Sequence, residues 1–150
     1  MYVLQYCSLG EAEDSIHTWN DKGIALDELE KYAEAIACFD EVIKLDPENS
    51  KAWINKGIAL SSLERYEEVV ACSDEAIRLD PEYSKAWNNK GTALLRLERY
   101  EEAIACFDEA IRLDPEYLLA LYAKGNLLRK LGRDEEAEQC LAKARELQQC

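Results

Sequence analysis

The sequence predicts an all-α protein built as a stack of two-helix units, and three observations carry that prediction. The first is self-similarity. Residues 50–83 and 84–117 differ at only seven positions (Ile54, Ile58, Ser61, Ser62, Val69, Val70 and Ser73 in the earlier copy), so 27 of 34 are identical. The second is register. Sliding the chain by 34 residues aligns Trp19, Trp53, Trp87 and Leu121; Gly23, Gly57, Gly91 and Gly125; Tyr32, Tyr66, Tyr100 and Asp134; and Pro47, Pro81 and Pro115. The third is periodicity inside a unit. Trp87, Gly91, Leu94 and Leu95 fall at helical spacing, and so do Ala103, Ile104, Phe107, Ala110 and Ile111. Self-similarity at a fixed period marks a repeat architecture, in which each unit contacts only its neighbours.

Taken in order, residues 1–15 stand outside the repeat, with no proline or tyrosine in register. Met1, Tyr2, Val3, Leu4 and Tyr6 make this tail apolar, and its pattern selects neither helix nor strand. Units follow at 16–49, 50–83, 84–117 and 118–150, each read as two helices. The link Glu98-Arg99-Tyr100 holds neither glycine nor proline, so tertiary packing is expected to fix that turn. Leu113-Asp114-Pro115 closes the second helix, because proline lacks an N–H and disfavours the α conformation in the residue before it. Asp114, or a serine such as Ser84, is expected to cap the helix that follows. Asp40/Lys44, Asp74/Arg78 and Asp108/Arg112 place an acid four residues ahead of a base, a helix-supporting spacing on a solvated face. A glycine costs about 1 kcal/mol in a helix, so the recurrent glycines imply close approach of the partner helix. Val69 and Ser73, where other units carry alanine and phenylalanine, read as local repacking that loosens the second unit.

The fourth unit loses three aromatics, with Leu121, Asp134 and Leu141 in their places, as expected of a terminal repeat. Ala137, Leu141, Ala144 and Leu147 still form a helical stripe, and this stripe is expected to stand uncovered.

Composition excludes several functions. The chain of 150 residues has a formal net charge of −13, which repels phosphate backbones and argues against nucleic acid as a partner. By segment, 1–15 carries −3, 16–49 carries −6, 50–83 carries −3, 84–117 carries −2 and 118–150 carries +1. No run approaches the ~18 apolar residues of a membrane span, and residues 1–10 lack the basic start of a signal peptide, so no membrane association and a cytoplasmic location are expected. Cys38, Cys72, Cys106 and Cys140 recur once per unit. Equivalent points on stacked helices lie about 8–10 Å apart, too far for a disulfide or a shared zinc, so these are read as small buried side chains kept reduced. Cys7 and Cys150 fall outside that argument. His17 is the only histidine, and no third group in the repeat orients it for catalysis. The doublets Glu67-Glu68, Glu101-Glu102 and Glu135-Glu136 recur with the unit and suit the positive end of a helix dipole. The reading is therefore non-enzymatic, with no catalytic residue, metal or cofactor.

The spacing Trp87-x3-Gly91, Tyr100, Ala103, Phe107, Ala110, Pro115 resembles the tetratricopeptide repeat, and the likeness runs over residues 16–150. One departure is consistent: Lys22, Lys56, Lys90 and Lys124 stand where that family usually has leucine, with the stem expected on apolar surface and the ammonium in water. The resemblance implies an α-solenoid, a right-handed superhelix whose first helices line a concave groove that holds peptides or helices of partner proteins. The implied groove positions are His17, Asn20, Asp21, Ile24, Asp27 and Glu28 in the first unit, and Lys51, Ile54, Asn55, Ile58, Ser61 and Ser62 in the second. The third unit gives Lys85, Asn88, Asn89, Thr92, Leu95 and Arg96; the fourth gives Leu119, Tyr122, Ala123, Asn126, Arg129 and Lys130. A subset of the family grips C-terminal carboxylates with a lysine/asparagine/arginine clamp. Asn55 and Lys85 match it, whereas Asn20, Ile24 and Asn89 depart, and two of five positions do not make a clamp.

Within that groove Lys51, Asn55, Lys85, Asn88, Asn89, Thr92, Arg96, Tyr122, Asn126, Arg129 and Lys130 are the candidate peptide-binding residues, suited to an acidic segment of a partner. The alternative is a self-associating scaffold, a homo-oligomer formed through Ala137, Leu141, Ala144 and Leu147 against an N-terminal end in which residues 1–7 take part, or through two C-terminal helices paired about a twofold axis.

Overall fold

Eight helices alternate with short links in a computed structural model that describes residues 2–149, with side chains from 13 onward. They are α1 (Tyr2–Glu28), α2 (Tyr32–Leu45), α3 (Ser50–Ser62), α4 (Tyr66–Leu79), α5 (Ser84–Arg96), α6 (Tyr100–Leu113), α7 (Leu118–Lys130) and α8 (Asp134–Gln149). The residues before the repeat are helical from Tyr2 and continuous with α1. The side chains of Tyr2, Val3, Leu4, Tyr6 and Cys7, and all of Met1 and Cys150, lie outside the described residues. No strand occurs among the described residues, and none of their helices is long and apolar enough to cross a membrane.

Each helix packs on the next, and the odd-numbered helices also touch one another, α1 on α3, α3 on α5 and α5 on α7. Among the described residues the even-numbered helices make no such contacts. The stack therefore curves with α1, α3, α5 and α7 on its inner side. Its interior holds Phe39, Val42, Leu60, Leu94, Phe107, Leu127 and Leu128, all buried.

Four local expectations are corrected. First, the turns between paired helices are backbone motifs in their own right. Glu30, Glu64 and Glu98 take left-handed φ of 59°, 57° and 59°, Gly132 takes 76°, and the next N–H reaches back to a carbonyl five residues earlier, as in Arg99 N to Leu94 O at 2.9 Å. Second, the aspartates before proline shape the link instead of capping a helix: Asp46, Asp80 and Asp114 accept from the N–H of Glu48, Glu82 and Glu116 at 3.2, 3.2 and 3.1 Å. Of the three helices that follow, α3 alone has a side-chain cap, Asn49 accepting from Ala52 N at 3.1 Å, whereas α5 and α7 follow Tyr83 and Tyr117 without one and Ser84 is already the first residue of α5. Third, Lys44, Arg78 and Arg112 turn to Glu41, Glu75 and Glu109. The aspartates Asp40, Asp74 and Asp108 instead receive Lys56, Lys90 and Lys124 from the following unit, at 2.6, 2.6 and 2.5 Å. Those lysines are three-quarters covered, and Lys56 and Lys90 lie 5.7 and 6.0 Å from the ring centres of Trp53 and Trp87. The residue expected to hold its ammonium in water is an inter-unit rung.

The fourth correction concerns the stripe Ala137, Leu141, Ala144 and Leu147. It is not uncovered. The α8 helix lays it against α7, burying the first three and half-burying Leu147, with Leu141 over Gly125.

Candidate functional site on the inner face

The first helices commit most of their apolar residues to the partner helix behind them, which leaves their other face largely polar, although Ile24 and Leu119 remain exposed. Two hollows lie between adjacent inner helices. One, of about 420 Å³, is lined by Ile16, His17, Asn20, Ile24, Asn49, Lys51, Asn55 and Tyr83. In it Asn55 Nδ2 donates to Asn20 Oδ1 at 3.5 Å, while Lys51 stands exposed. The other, of about 340 Å³, is lined by Gly57, Ile58, Ser61, Ser62, Val69, Asn88, Asn89 and Thr92. Here Thr92 Oγ1 donates to the backbone carbonyl of Asn88 at 2.9 Å.

The structure thus gathers Lys51 with Asn55, and Asn88 with Asn89 and Thr92, but it does not leave every predicted residue open. Asn88 and Ile54 are buried, at 7% and 1% exposure. Arg96 lies with its guanidinium 5.7 Å from the Tyr66 ring centre, and Lys130 repeats that arrangement one unit later at 4.7 Å from Tyr100, whose hydroxyl accepts from its ammonium at 2.9 Å. This hydrogen bond pushes the Lys130 pKa up. Arg129 sits 3.9 Å from Glu138 of α8, which also pairs with Arg145. Tyr122 donates to Gln148 Oε1 at 2.8 Å. Lys85 is half-buried and Asn126 exposed. At the acidic end, burial and then the neighbouring Glu28 raise the Asp27 pKa, and Asp27 Oδ1 is buried without a hydrogen-bond partner.

Sequence reasoning missed Glu138, Tyr66 and Tyr100, which engage inner-face cations from the helices behind. The thiols of Cys72 and Cys106 are pushed up to about 11, chiefly by burial, so they stay protonated and chemically quiet near neutral pH.

A curved stack of antiparallel helix pairs, its first helices on the inner side, defines an α-helical repeat protein. Comparisons with known proteins make the class specific. One tetratricopeptide-repeat model matches residues 17–49 and 84–117, and a second of the same description matches 38–71 and 106–139. The chain belongs to the tetratricopeptide-repeat family, whose members are protein-interaction modules. No curated protein matches it. Among solved structures it is similar to residues 41 to the end of MamA from Desulfovibrio magneticus RS-1, with 26% identity over 89% of this chain and 76% of that one, at a TM-score of 0.82. The Arabidopsis OM64 repeat domain is 27% identical over 79% of this chain and 98% of its own, with a TM-score of 0.76. The second repeat domain of human RPAP3, solved in complex with the HSP70 peptide SGPTIEEVD, is 28% identical over 77% of this chain and 97% of its own, with a TM-score of 0.74.

Proposed function

We propose that this chain is a non-enzymatic interaction module whose inner face takes up an extended, acidic segment of a partner protein. One observation carries the reading. Among the described residues Lys51, Lys85, Arg96 and Lys130, all carried by the first helices α3, α5 and α7, have no carboxylate within ion-pair distance, Arg96 and Lys130 resting on tyrosine rings instead, in a chain whose net charge is −13. Where acids outnumber bases so heavily, unpaired cations along one face form a local field for an anionic ligand. Lysine and arginine there offer charge-assisted hydrogen bonds to acidic side chains or to a terminal carboxylate, while Asn55, Asn89 and Asn126 can bond an extended peptide backbone. The acidic peptide held by the RPAP3 domain is a precedent for such a ligand on a related fold.

The test is titration of fluorescein-labelled peptides, matched in length and differing in acidic content. Acidic peptides are expected to bind, to weaken with salt, and to lose about tenfold or more in affinity on Lys85→Glu plus Arg96→Glu, a pair chosen because Arg129 already faces Glu138. Binding that ignores acidic content, or that the double reversal leaves unchanged, would overturn the reading.

A further inference from the structure

In α3, α5 and α7 the side that carries the repeat lysine is covered by the second helix of the module before it. There Ala59, Ala93 and Leu127 keep 0%, 1% and 2% of their surface, and Leu60, Leu94 and Leu128 keep 0%, 1% and 0%. The counterparts on α1 are open: Lys22 and Ala25 are exposed and Leu26 is half-buried. The links Asp46–Asn49, Asp80–Tyr83 and Asp114–Tyr117 each turn the chain so that a second helix lies on the next first helix. The corresponding stretch, 12–15, is helical because α1 runs unbroken from Tyr2, so it lays no second helix on this face.

What such a face accepts recurs three times inside the chain. Ile36, Asp40 and Ile43, then Val70, Asp74 and Ile77, then Ile104, Asp108 and Ile111 share the spacing i, i+4 and i+7, which places each set on one side of a helix. The first residue of each set falls in one packed cluster with the leucine of the next module: Ile36 with Leu60, Val70 with Leu94, Ile104 with Leu128. The aspartate receives that module's lysine, at 2.6, 2.6 and 2.5 Å. Lys22 is set for the same contact. Its Nζ lies 5.1 Å from the Trp19 ring centre, as Lys56 and Lys90 lie over Trp53 and Trp87, yet among the described residues no carboxylate is within ion-pair distance of it. Around it, between α1 and α2, Trp19, Leu26, Ala37 and Cys38 line a hollow of about 480 Å³ that Glu34 and Glu41 also border. Glu68 and Glu75 hold those two places in the second module, where the Lys56–Asp40 rung forms beside them.

We propose that this open face of α1 docks an amphipathic helix of a partner protein, one that presents isoleucine or valine, aspartate and isoleucine at i, i+4 and i+7. The aspartate pairs with Lys22, and the first apolar residue enters the hollow against Leu26. A second copy of this chain does not offer that helix. In α2, α4 and α6 the stripe is already engaged by the next module, and in α8 Glu138, Ala142 and Arg145 replace it, with Glu138 and Arg145 paired to each other. Residues 16–49 carry −6, so apart from that one acid the partner helix is neutral or basic.

The probe is a fluorescein-labelled peptide copying residues 66–79 of α4, stapled between positions 67 and 71 to hold it helical. Glu68→Lys and Cys72→Ala in the peptide make it neutral and free of thiol, and fluorescence anisotropy follows its binding to the full chain. Wild type is expected to bind it, and Asp74→Lys in the peptide to weaken binding about tenfold or more. Lys22→Glu in the chain is expected to reverse the order of those two peptides. Ala25→Arg, at an exposed position, is expected to abolish binding of both while thermal unfolding shows the chain intact. Lys85→Glu plus Arg96→Glu, which disables the inner face, is expected to leave this binding unchanged, so the two sites fail separately. The proposal is overturned by a wild type that does not bind the peptide or binds the Asp74→Lys form equally well. It is overturned equally by an order of peptides that Lys22→Glu leaves as it was, or by binding that is lost with the inner-face pair. Wild type that sediments as a dimer and is separated by Ala25→Arg would give the face to a second copy and overturn it too.

Discussion

A single methyl separates the two kinds of glycine in this chain. At Gly91 an added Cβ would stand 2.8 Å from the Phe107 ring, whereas at Gly57 the nearest neighbour is in ordinary contact at 3.7 Å. Alanine is the better helix former by about 1 kcal/mol, so the sign of the substitution depends on what lies opposite. Gly57→Ala is expected to stabilise by about 0.5–1 kcal/mol and Gly91→Ala to destabilise by about 1–3 kcal/mol, read from urea midpoints at constant slope. If both substitutions stabilise, the tight seat of Phe107 is wrong. The sequence makes the glycine–aromatic pairing legible through its period, and it marks Ser73 as an exception. What it does not carry is the outcome of that exception, because a serine in a core can be answered by collapse or by a void, and only the neighbours decide which. The left-handed glutamates Glu30, Glu64 and Glu98 were hidden for a related reason: nothing in a glutamate side chain announces a positive φ, and only Gly132 shows the need openly.

At the scale of the helix, the acid–base pairs teach the limits of reading one element alone. Asp74 has Arg78 one turn away, but Lys90 reaches it from α5 at 2.6 Å while lying over Trp87, and Arg78 turns to Glu75 at 3.0 Å. A lysine already three-quarters covered gives up little further solvation or freedom on pairing, and Arg78 has Glu75 as its own partner, so the cross-unit contact with Asp74 wins. A double-mutant cycle with Lys90→Met and Asp74→Asn is expected to give a coupling of about 0.5–1 kcal/mol, the upper part of the range for partly exposed pairs. A coupling near zero, with Arg78 and Asp74 coupled instead, would restore the within-helix pairing. Helix identity and order were legible from periodicity and from the Leu-Asp-Pro breaks. The partner of each charge was not, since spacing along one helix is blind to the helix stacked on it.

For the molecule as a whole, the buried thiols give a pH signature. Cys72 and Cys106 titrate near 11 in the folded chain against an ordinary value of 9.0, so above that ordinary value the unfolded chain releases protons first. Folded-state stability from this source is complete below about pH 9 and declines as pH rises toward about 11. Urea midpoints of wild type are expected to fall more steeply across that window than those of Cys72→Ala plus Cys106→Ala; parallel slopes would show that burial does not hold the thiols protonated. The curvature of the stack and the use of its first helices as an inner face were implied by the family resemblance, and the repeat itself showed only the succession of two-helix units. The parking of Arg96 and Lys130 on tyrosines, and of Arg129 on Glu138, was not, because those partners come from helices behind the face.

The lysine–aspartate rungs also give the array a direction. Every rung needs a lysine from one module and an aspartate from the module before it; Lys22 has no earlier module in this chain, and Ala142 stands where the last module would offer its acid. The modules are thus not freely exchangeable bricks. A duplicate of residues 84–117 inserted beside its parent would continue the lattice of charges without a break, whereas any module appended after α8 would meet alanine and begin a second, electrically separate segment.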